Sequence, residues 1–137
     1  MRPNARLLSY SAVLFAVGTV LWAIPSVAQQ SSFHNAPASA AQMKNPYAGN
    51  AQAAAGGKKL FGQNCGQCHG ANLQGIGPAP PLDNAATQKA TPGELFWFIT
   101  NGNLNAGMPS WAGLPKQQRW QIVTFLQSKI GAKPETK

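Results

Sequence analysis

One pentapeptide in this chain has the residue types and spacing to do chemistry: Cys65-Gly66-Gln67-Cys68-His69. Two thiols separated by two residues, with an imidazole directly after the second, form the attachment signature of a c-type haem. The spacing has a physical reason. Each thiol can add to one vinyl group on the edge of the haem, giving two thioether bonds. On a helix, Cys65 and Cys68 lie about one turn apart, and His69 follows closely enough to put its imidazole on the iron. The chain holds two cysteines in all, so both are used here. A redox dithiol of thioredoxin type would call for alternating strands and helices around the motif, and the pattern has none. A structural zinc site would need four ligands. The only other histidine is His34, in a polar segment.

The iron has a second axial position, and Met108 is the residue that could fill it. It stands in Gly107-Met108-Pro109-Ser110-Trp111 and is the only methionine of the expected folded part. Thioether sulfur is an accepted haem ligand, although buried methionines are more often packing. With Met108 on the iron, the protein would carry electrons. With Met108 as packing, the sixth position would be open to catalysis or gas binding. His34 and Met43 are ligands by type, but both fall in a stretch expected to be solvated linker.

Three helices are predicted to position these groups. Asn50 can cap a helix running to about Gln63, rich in the good helix former Ala. Gly57, Phe61 and Cys65 recur every four residues and share one face. A glycine there suits the close approach of another helix, despite its cost of about 1 kcal/mol relative to Ala. After His69, residues Gly70 to Leu82 are too rich in Gly and Pro for helix or strand. Such a loop can offer a carbonyl to the other ring N–H of His69, fixing its tautomer. The second helix starts at Thr91-Pro92-Gly93-Glu94, with Thr91 as cap, Pro92 at the first position and Glu94 completing a capping box. Leu95, Phe98 and Ile99 form its apolar face, Phe96 and Trp97 widen it, and Gly102 stops it. Residues Asn103 to Gly113 are irregular. The third helix runs from about Pro115 to Lys129, with Ile122, Phe125, Leu126 and Ile130 as a stripe widened by Trp120 and Val123. The Gly57/Phe61 face is its natural partner.

With 137 residues there is room for one small domain, and the chain does not open with it. Met1 to Ala28 reads as a secretory signal: Arg2 and Arg6 lead, Leu7 to Ile24 is apolar apart from Ser9, Ser11 and Thr19, Pro25 breaks it, and Ser26-Val27-Ala28 suits cleavage. Uncleaved, the same run would serve as a membrane anchor. Residues 29–50 are rich in Ala, Gln, Ser, Asn and Pro and read as a flexible leader. Residues 51–131 form the working domain, and residues 132–137 a flexible tail. A core this small is marginal by itself, and a buried haem would add apolar mass.

The chain resembles a class I mono-haem cytochrome c of the bacterial periplasmic kind. The likeness covers roughly Ala51 to Ile130, and its pieces come in the family's order. Gly57 and Phe61 resemble the helix positions that cross the C-terminal helix; Cys65, Cys68 and His69 match the haem motif. Gly77-Pro78 or Pro80-Pro81-Leu82 resembles the loop whose proline carbonyl accepts the histidine N–H, and the spacing to Leu82 favours Pro80 over Pro78. Leu95-Phe96-Trp97 to Asn101-Gly102, then Met108-Pro109, resembles the run leading to the methionine ligand. The resemblance implies an all-α fold of three to four helices around one covalent haem c. It implies His69 and Met108 as axial ligands, with Phe61 and Trp97 in the haem pocket, and one-electron transfer rather than enzyme catalysis.

Charge suggests the partner. Eleven Lys and Arg face three Asp and Glu, for a net +8. Losing Arg2 and Arg6 with the leader would leave the protein basic. A basic carrier suits redox proteins with acidic docking surfaces, such as a periplasmic dehydrogenase, oxidase or reductase. A monomer in the periplasm is expected, or a protein anchored to the inner membrane if the leader stays. Nucleic acid is not expected, because no recognition element is present.

Overall fold

The computed structural model describes residues 35–130. The expected leader, His34, Gly131 and the tail lie outside the described residues. Within them the chain forms no strand, a 3-10 turn at Leu104–Ala106 and six α-helices: α1 (Ala38–Ala41), α2 (Ala51–Asn64), α3 (Gly66–His69), α4 (Ala85–Lys89), α5 (Pro92–Asn101) and α6 (Lys116–Ile130). The three long helices are the expected ones, and α1, α3 and α4 are single turns added to them. Among the described residues, no helix is long and apolar enough to cross a membrane.

Local chemistry sets the helix starts. The Asn50 side chain accepts from Ala53 N and opens α2. Thr91 Oγ1 accepts from Glu94 N while the Glu94 carboxylate accepts from Thr91 N, so both halves of the capping box are formed at α5. Asn84 caps α4 in the same way, accepting from Thr87 N.

Helices α2 and α6 cross at Gly57. A Cβ there would collide with the main-chain carbonyl of Gln121, so the crossing is possible only without a side chain. Beside it, Phe61 meets Phe125 at 5.4 Å between ring centroids. Helix α5 packs on the other side of α6, where Phe96 stacks on Trp120 at 4.2 Å. Phe61, Leu73, Leu95, Phe96 and Ile99 make one core with Trp120, Ile122, Val123, Phe125 and Leu126 of α6.

The leader reading needs correction over residues 35–50. These residues form a packed strap. Ala40 is buried, and Met43 and Tyr47 pack against the core. Asn45 is buried and donates through Nδ2 to Thr124 Oγ1 (3.0 Å) and Gln127 Oε1 (2.9 Å) on α6. Its Oδ1 accepts from Tyr47 N. Helix α5 makes room for the strap at Gly93, where a Cβ would strike the carbonyl of Ala40. Composition misled here because a segment poor in apolar groups can still be ordered by a surface that others have built. Met43 is therefore a packing residue, not a solvated one.

Candidate haem site

The end of α2 delivers the motif. Cys65 N donates to Phe61 O at 2.8 Å, and the chain then turns into α3, where Cys68 N and His69 N both donate to Cys65 O. Cys65 faces the core and is half-buried, whereas Cys68 is exposed; both thiols are free. Burial pushes the Cys65 thiol up from 9.0 to about 11, and the neighbouring Cys68 adds to the rise. A thiol held in its neutral form is a slow partner for disulfide closure, because the thiolate is the attacking species.

The loop after α3 folds back over His69. Gly75 N donates to His69 O, Ile76 N to Cys68 O, and Leu82 N to Leu73 O. Leu73 holds the loop to the core: it is buried and sits at φ 67, a left-handed conformation that a leucine adopts only under constraint. Its importance was not legible from the sequence, where it stands as one leucine among glycines.

This folding brings Pro80 O to 3.0 Å from His69 Nδ1. A carbonyl can only accept, so Nδ1 carries the proton and donates. In the neutral ring this tautomer leaves the Nε2 lone pair free, which is the state a metal-binding imidazole requires. Of the two candidate carbonyls it is Pro80 that meets His69, while Pro78 is exposed on the same loop.

Met108 arrives on a separate segment, between α5 and α6. It pairs with Asn103 through reciprocal main-chain bonds of 2.8 and 3.0 Å and is partly exposed. Phe61 is buried in the α2–α6 interface, and Trp97 is half-buried with its ring edge-on to Phe98. Among the described residues no three His, Cys, Asp or Glu converge, so a zinc cluster has no ligand set there.

A family model described as cytochrome c oxidase, cbb3-type, subunit III matches residues 52–126, more than half of the chain. The chain belongs to this family. It is a c-type cytochrome, and the solved structure of cytochrome CL from the marine methylotrophic bacterium Methylophaga aminisulfidivorans MPT agrees. That structure aligns at a TM-score of 0.54 with 27% identity, over 62% of this chain and 58% of the other. The alignment thus spans little more than half of the length of cytochrome CL. No curated protein matches the chain. Membership implies a covalently held haem c, and the donor set of this cytochrome fits one. Two free thiols, an imidazole anchored through Nδ1 and an apolar flank from Leu73 and Leu82 stand together around one short helix.

Proposed function

We propose that the protein carries single electrons through one covalently held haem c, attached at Cys65 and Cys68, with His69 and Met108 as axial ligands. The observation that carries this reading is the bond from His69 Nδ1 to Pro80 O. It orients the ring and leaves Nε2 as the donor atom. Bound haem supplies a one-electron ferric/ferrous couple. The chain's own residues do the rest. Cys65 and Cys68 hold the group at its edge, and Pro80 keeps the proton of His69 away from the ligating side. Met108 offers a soft sulfur from another loop, and the apolar core excludes water. A filled sixth position gives no place for a substrate.

The expected compartment is the periplasm, reached through the Met1–Ala28 leader. The partners are redox proteins with acidic surfaces. Residues 60–82 and 95–115, which hold every expected site residue, contain no Lys, Arg, Asp or Glu. The basic side chains of Lys44, Lys58, Lys59, Lys89, Lys116 and Lys129 are exposed outside these two stretches. They are suited to steering an approach, with contact near the haem left to uncharged groups. The family description also favours a second reading, in which the chain is a lasting subunit of an oxidase. Co-purification of a native complex would support the subunit reading over the free carrier.

The first experiment is a visible spectrum of exported protein in both redox states. A weak long-wavelength band in the ferric form and a sharp alpha band in the reduced form are expected. Met108→Ala should abolish the ferric band. High-spin iron that binds carbon monoxide at once in unaltered protein would overturn the carrier reading in favour of an open site.

A further inference from the structure

Arg119 reads from the sequence as one more surface cation, yet it is half-buried and hydrogen-bonded at two of its nitrogens. It stands in the first turn of α6 and reaches back across the segment that carries Met108. Its Nε donates to Leu114 O at 3.1 Å, where that segment ends. One terminal nitrogen donates to Thr100 Oγ1 at 2.5 Å, in the last turn of α5, where the segment begins. The guanidinium lies 4.9 Å from the centroid of the Phe96 ring. Phe96 is in turn stacked on Trp120, the residue after Arg119.

The direction of these bonds is fixed. A threonine hydroxyl has one proton, and Thr100 donates it to Phe96 O at 2.7 Å. Its lone pairs must therefore accept from Arg119. Two further bonds close the same neck: Ser110 Oγ donates to Thr100 O at 2.7 Å, and Trp111 N donates to Ile99 O at 3.0 Å. Residues 101–113 thus hang from a closed base, with Met108 held across from Asn103 inside it. Only the planar fork of arginine can serve Leu114 and Thr100 at once while lying on Phe96; a lysine has one ammonium and no plane.

We infer that Arg119 is a positioning residue for Met108: it clasps both ends of the Met108 segment and so sets how readily the sulfur leaves the iron. This rests on the proposal that Met108 is the sixth ligand. The bonds of Arg119 go to Leu114 and Thr100 at the two ends of the segment, so it acts through the loop. Loop opening and sulfur loss are then one equilibrium, a local unfolding separate from melting of the whole domain.

The test is a base titration of exported, haem-loaded ferric protein, following the weak long-wavelength band. Unaltered protein, Arg119→Gln, Arg119→Lys, Thr100→Val, Met108→Ala and Asn45→Ala are compared. Hydrogen bonds to a charged group are strong enough that losing the clasp should favour the open loop roughly tenfold or more. The band should therefore disappear about one pH unit lower in Arg119→Gln. Thr100→Val should shift in the same direction, and Arg119→Lys should fall between. Asn45→Ala loosens the strap without touching the loop, and its midpoint should stay with the unaltered protein. Equal midpoints for unaltered protein, Arg119→Lys and Thr100→Val would overturn the inference and leave the ligand assignment standing. So would a shift of the same size in Asn45→Ala. A band absent from unaltered protein, with Met108→Ala unchanged in spectrum, would instead remove the ligand assignment and this inference with it. If Arg119→Gln does not fold, Arg119→Lys and Thr100→Val decide.

Discussion

Cys65 and Cys68 are chemically alike in sequence and unlike in the fold. Before haem attachment, burial of the Cys65 thiol keeps it protonated up to about pH 11, whereas Cys68 is exposed. Alkylation of the unattached chain, followed by peptide mapping, should label Cys68 first. The Cys65 rate should climb about tenfold per pH unit beyond pH 9 and level only near 11. A plateau at pH 9 would place the thiol in ordinary surroundings. The same shift fixes the sign of its effect on stability. The folded form keeps a proton that the unfolded form loses above 9.0, so the unattached fold weakens as pH rises from 9.0 toward about 11. At this scale the motif was fully legible, because thiol and imidazole spacing is a local matter. The choice of Pro80 over Pro78 could be favoured but not decided, since it depends on how the loop returns to His69.

Helix positions were legible where a cap or a periodic face marks them. Asn50, Thr91 and Glu94 act as their types predict, and α5 stops at Gly102. Short helices gave less signal: α1 and α4 have too few residues for a periodic face. The crossing of α2 and α6 yields a prediction whose sign separates two effects. In an open helix Gly→Ala stabilises by about 1 kcal/mol. At position 57 the added methyl would meet the Gln121 carbonyl, so Gly57→Ala should instead destabilise by about 1–3 kcal/mol. Urea unfolding of the haem-loaded protein measures it, and a stabilised variant would mean that the helices do not cross there.

For the molecule as a whole, the strap and the charge distribution matter most. Asn45 satisfies two acceptors on α6 from a segment with little apolar surface of its own. Asn45→Ala should cost about 1–3 kcal/mol, the penalty for stranding buried polar partners. It should also speed amide exchange over residues 37–50 more than in α2. Uniform exchange across both would show that the strap is no separate unit. The exposed lysines predict that the bimolecular electron-transfer rate with an acidic partner falls steeply as salt rises through the range where the Debye length shrinks below about 10 Å. A rate flat with ionic strength would mean that these charges serve solubility alone.

By itself the sequence determined the Cys65, Cys68 and His69 motif, three helices with their caps and the need for a glycine where two of them meet. All of these are written within short windows, as residue spacing, capping chemistry or helical period. The tertiary structure alone decided which carbonyl fixes the tautomer of His69, why Leu73 is held at a left-handed angle and that residues 35–50 are packed. It also turned Arg119 from a surface charge into a clasp across the Met108 segment. Each of those depends on groups that sequence distance separates, up to 82 residues for Asn45 and Gln127. Such contacts exist only after the helices have built the surfaces that bring them together.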